Sequence, residues 1–68
     1  MAFDFDRKQL QAQMLIKDVT SKQLSEALQI DLSTFYRRLN DGNFSRNEIA
    51  KMIDILDIEE PMKIFFAL

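Results

Sequence analysis

The chain has no cysteine and no histidine, and only one glycine and one proline among its 68 residues. Without cysteine there are no disulfides and no thiolate chemistry. Without histidine there is no imidazole to move protons, and an ordinary zinc site lacks both of its usual ligand types. No glycine-rich phosphate loop and no carboxylate pair set for a cleft can be found, so no catalytic constellation can be assigned. Neither an enzyme nor a cofactor is expected. The acids Asp54, Asp57, Glu59 and Glu60 lack the alternating oxygen-ligand loop of a calcium site, and read as a solvated face. Nothing resembles a signal peptide, and the longest apolar run, residues 64–68, is far too short to span a bilayer. The expectation is a cytoplasmic protein with no membrane partner.

What the chain does have is 47% hydrophobic residues, ample for a folded globule. One domain covering residues 1–68 is expected, with a core small enough that self-assembly would add to its stability. The net charge is −2, and it is unevenly spread. Residues 1–19 balance, with three acids and three bases. Residues 20–46 carry Lys22, Arg37, Arg38 and Arg46 against Glu26, Asp31 and Asp41, whereas residues 47–68 carry five acids against two bases. The acidity is therefore concentrated away from the middle of the chain.

A local signature recurs four times: an apolar residue, a capping residue, and a second apolar residue four positions after the cap. Phe5 and Asp6 with Leu10, Val19 and Thr20 with Leu24, Ile30 and Asp31 with Phe35, and Phe44 and Ser45 with Ile49 all fit it. Each is a hydrophobic staple around an N-cap, and Gln9, Gln23 and Glu48 stand where a capping box takes Glu or Gln. Four helix starts are thus expected at Asp6, Thr20, Asp31 and Ser45. The first helix is expected to end near Lys17. The fourth, with Ile49, Met52, Ile53 and Leu56 on one face, is expected to run to about Asp57. The Asn-Asp-Gly-Asn stretch at 40–43 reads as a loop. Pro61 suits the first turn of a fifth helix over about 61–67. The fold class is all-α, with five helices.

Residues 20–42 carry the most information. Thr20 and Asp31 lie eleven residues apart, so the second helix is brief, about 21–28, and the chain must then turn sharply into the third. Leu24, Leu28, Ile30, Phe35 and Leu39 supply apolar contacts that close the two helices on each other. Leu32, Ser33, Tyr36 and Arg37 fall on the outward side of the third helix, the layout of a DNA-binding helix-turn-helix.

The order of helices, the Ser-Thr-Phe-Tyr-Arg-Arg-Leu-Asn-Asp-Gly phrase at 33–42 and the terminal Ile-Phe-Phe at 64–66 resemble the lambda-repressor-like, Cro-type helix-turn-helix regulators, and small phage regulators in particular. The similarity covers roughly residues 7–67. It implies a sequence-specific regulator, dimeric on a double-stranded operator, with the third helix in the major groove. By the resemblance Leu32, Ser33 and Arg37 read base edges, with Arg37 bidentate to guanine and Leu32 against a thymine methyl. Ser21, Lys22, Tyr36 and Asn40 fall near phosphate contacts, and Asn43 and Arg46 extend that grip. Gln29 stands where the family usually has glycine, Ser21 where glutamine is frequent, and Asp31 where serine or threonine is frequent.

The ending offers two arrangements. Phe65 and Leu68 share a side with Ile64, and Phe66 points elsewhere, so either Phe66 tucks under the bundle or an aromatic patch of Phe65, Phe66 and Leu68 serves a partner or dimer interface. The acidic balance, Asp31 and the outward Leu32 keep a second function open: an antirepressor or modulator that pairs with a phage repressor of this type instead of DNA.

Overall fold

Asp6, Thr20, Asp31 and Ser45 all stand at helix N-caps in extended backbone, where the staple pattern expects them. The computed structural model describes residues 5–66. Within them are five helices: α1 (Arg7–Ile16), α2 (Ser21–Ala27), α3 (Leu32–Asp41), α4 (Arg46–Leu56) and α5 (Pro61–Phe65). No strand occurs among the described residues. The all-α expectation holds, but two boundaries move. Asn40 and Asp41, expected in a loop, close the last turn of α3, which ends on Gly42 at φ 71°. The helix α5 stops at Phe65, and the expected continuation to residue 67 runs outside the described residues.

Three of the caps satisfy orphan N–H groups at helix starts, as capping requires. The Asp6 carboxylate accepts from the Gln9 N–H at 3.1 Å. Thr20 with Gln23, and Ser45 with Glu48, complete reciprocal capping boxes. Asp31 differs: it occupies the cap position, yet its side chain makes no capping hydrogen bond.

The helix ends share a device of their own. At α1, α2 and α4 the chain leaves through one residue in left-handed backbone, namely Asp18 (φ 59°), Gln29 (φ 61°) and Asp57 (φ 50°). The N–H one residue further on then reaches back to the final turn: Val19 to the Met14 carbonyl, Ile30 to Ser25 and Ile58 to Ile53, at 2.9 to 3.0 Å. These are Schellman endings made without glycine.

The core is one cluster. Leu10, Leu24, Phe35, Met52 and Leu56 are fully enclosed, with Met14, Leu28, Leu39, Phe44, Ile58, Ile64 and Phe65 around them. Burying each such side chain contributes roughly 1.5–3 kcal/mol, so these residues dominate the favourable side of the folding balance. Helix α2 packs on α3, and α1 packs on α5. The chain just before α1 is tied to α5: the Asp6 N–H donates to the Ile64 carbonyl at 2.7 Å. The Phe5 ring lies 5.9 Å from the Phe65 ring and 5.5 Å from Phe44, nearly stacked on the first and tilted to the second. At the start of α5, the N-cap Glu60 and Lys63 form an exposed pair at 2.8 Å. The hydrogen bond from Lys63 to Glu60, and then the charge of Glu60, hold the Lys63 ammonium above the usual lysine range.

Candidate nucleic-acid interface

The site begins with the brevity of α2. Thr20 starts it, Gln29 ends it, and only seven residues are helical between them. Gln29 occupies the left-handed conformation that the glycine usual in the resembling family would adopt freely. A side chain there costs about 1 kcal/mol. Asp31 then opens α3 four residues after the last residue of α2.

Phe35 and Leu39 anchor α3 in the core, with Thr34 and Arg38 at the boundary. The remaining positions, Leu32, Ser33, Tyr36, Arg37, Asn40 and Asp41, are exposed and fill about half the circumference at roughly 100° per residue. Leu32 is 38% exposed and Tyr36 49%, so neither is sealed inside the monomer. The Tyr36 ring is braced 6.1 Å from that of Phe35. Arg37 forms no ion pair among the described residues, and its guanidinium remains available.

The other expected contacts are placed unevenly. Asn43 is exposed and shares with Arg37, Arg38, Asp41 and Ser45 a depression of about 360 Å³ between the end of α3 and the start of α4. Arg37 and Asn43 are thereby brought together. Lys22 is exposed at the start of α2, whereas Ser21 is half-buried in a depression shared with Met14, Leu15 and Val19 at the end of α1. Arg46 is exposed beside an apolar groove lined by Ile49, Ala50, Ile53 and Phe66. Phe65, expected in an interface patch, is instead 6% exposed and stacked on Phe5 within the core. Its neighbour Phe66 is 39% exposed on the groove, and Leu68 lies outside the described residues.

Two arginines have roles that the sequence does not signal. Arg38 binds the Glu48 carboxylate, which also accepts the Ser45 N–H at 2.8 Å, so one acid joins the end of α3 to the cap of α4. Arg7, the first residue of α1, donates to the Asn40 side-chain oxygen at 2.8 Å across 33 positions of sequence. Asp31 and Asp41 stand exposed at the two ends of α3.

Among the described residues no helix is long and apolar enough to cross a membrane, and no group of three or more potential ligands is placed to hold a metal ion. No family model matches the chain, and neither a curated protein nor a solved structure matches it.

Proposed function

We propose that the protein is a sequence-specific DNA-binding regulator of the phage Cro or repressor type. In this reading α2 and α3 form a helix-turn-helix, and α3 enters the major groove. The observation that carries it is the outward stripe Ser33, Arg37 and Asn40, exposed on a helix whose opposite side is locked by Phe35 and Leu39. A helix of ten residues is about 15 Å long, and the major groove is about 12 Å wide, so the stripe is matched to the duplex in size. In the docked state Arg37 reads guanine, Ser33 and Leu32 contact neighbouring base edges, and Lys22, Tyr36 and Asn43 hold phosphates. A homodimer on a two-fold operator, with reading helices about 34 Å apart, gives so small a domain useful affinity.

The experiment is a mobility-shift titration with upstream DNA over a range of salt concentrations. Tight binding that weakens steeply with salt is expected. Arg37→Ala should cost about 1–3 kcal/mol and relax the preference at one base pair. No shift of any duplex at low salt would remove this reading.

A second reading is favoured by different observations. Asp31 and Asp41 bracket α3 with exposed carboxylates, and Leu32 and Tyr36 offer apolar surface between them. That combination suits the basic reading surface of a helix-turn-helix repressor, which the protein would cover as an antirepressor. Co-purification with the neighbouring repressor, with loss of that repressor's operator binding, distinguishes this function from direct DNA recognition.

A further inference from the structure

We infer that Arg7 binds a backbone phosphate of duplex DNA alongside α3, with Asn40 holding its guanidinium in position; the inference rests on the DNA-binding reading above. Asn40 lies on the outward stripe of α3, one turn beyond Tyr36 and Arg37 and two beyond Ser33. Its side-chain oxygen accepts from an Arg7 guanidinium nitrogen at 2.8 Å, so a cation from α1 is placed at the edge of the reading surface. Both residues are exposed.

The choice of partner matters. Asn40 is neutral, and Arg7 forms no ion pair among the described residues, so none of their carboxylates neutralises it. Ordering a long exposed side chain costs rotamer entropy, and here no opposite charge among the described residues offsets it. A guanidinium has five N–H donors and a side-chain amide has two. The hydrogen bond to Asn40 uses one of the seven, and the Asn40 amide hydrogens have no acceptor among the described residues. The pair thus presents donors from two residues and a single positive charge, while the Asn40 oxygen already accepts one hydrogen bond from Arg7. A matching ligand accepts hydrogen bonds and is anionic, as a phosphodiester oxygen is.

The test is an anisotropy titration on two short duplexes, one selected by the wild-type protein from a random pool and one scrambled from it. Arg7→Gln retains a donor for Asn40 but lacks the charge. It should weaken both duplexes by the same factor and lower the slope of log K against log salt by about 0.9. Arg7→Lys, which alters the Asn40 geometry but keeps the charge, should retain the wild-type slope. If the wild type binds and Arg7→Gln keeps its slope, Arg7 only braces Asn40; the inference falls and the DNA reading stands. If the wild type binds neither duplex at low salt, both fall together.

Discussion

The Glu48 carboxylate oxygen that receives the Arg38 guanidinium is the one that accepts the backbone N–H of Ser45. Glu48 is nearly buried and Arg38 about one-third exposed, so the pair is well shielded from solvent. It fixes where α3 ends relative to where α4 begins, and therefore how the outward stripe is presented. Glu48→Ala strands the guanidinium and opens the capping box, and should cost about 2–4 kcal/mol in urea unfolding. Glu48→Gln keeps the cap acceptor while losing the charge, and should cost about 1–2 kcal/mol. Equal losses from the two variants would mean that the cap contributes nothing.

Gln29 is exposed and left-handed, so its side chain contributes strain without packing in return. Gln29→Gly should raise stability by about 0.5–1 kcal/mol, the relief being partly offset by the freer unfolded chain. Gln29→Val should lower it by at least about 1 kcal/mol, since a β-branched side chain tolerates this backbone least. Chemical denaturation of the three proteins ranks them directly. A loss of stability on introducing glycine would contradict the strain argument.

Gly42 is held between backbone and ring. A Cβ added there meets the Phe5 Cβ at 2.5 Å, and the residue already sits at φ 71°. Gly42→Ala should therefore cost about 2–3 kcal/mol, combining left-handed strain with the collision. Phe5→Gly removes both that Cβ and the ring packed on Phe44 and Phe65, and is itself destabilising. In the double variant the collision is reduced, so the two losses should sum to more than the measured total. Simple additivity would locate the whole cost in the backbone.

Asp31 provides the contrast to the other caps. Thr20→Ala should cost about 1 kcal/mol, because the bond its hydroxyl accepts from the Gln23 N–H is lost. Asp31→Ala should cost only about 0.5 kcal/mol, the share due to a negative charge at a helix start, since no side-chain bond is lost. Under the DNA-binding reading the same change should tighten operator binding, because a carboxylate leaves the path of the phosphates. Weaker operator binding by Asp31→Ala would point instead to a carboxylate that accepts from a base.

Much of this architecture is legible in the sequence because helix starts are local events. A staple and a capping residue fall within six positions, and all four marked starts coincide with observed N-caps. The outward set on α3 is legible for the same reason: a ten-residue helix with Phe35 and Leu39 inside leaves little choice of phase. Phase is not readable in a five-residue helix, which is why Phe65 rather than a surface patch completes the core. The links from Arg7 to Asn40 and from Arg38 to Glu48 span 33 and 10 positions. They depend on how whole helices come together, and no spacing rule announces them. Gln29 lies between these cases, its left-handed backbone expected from family likeness and its Schellman bonds evident only in the fold.

The hydrogen bond between Asp6 and Ile64 has a topological consequence. With those two positions adjacent, the described residues trace an almost closed ring, and gene order becomes separable from helix packing. A circular permutant, bridged across that seam and cut open at the exposed Asn43, would begin with α4 and finish with α3, leaving every neighbour in the core as it was.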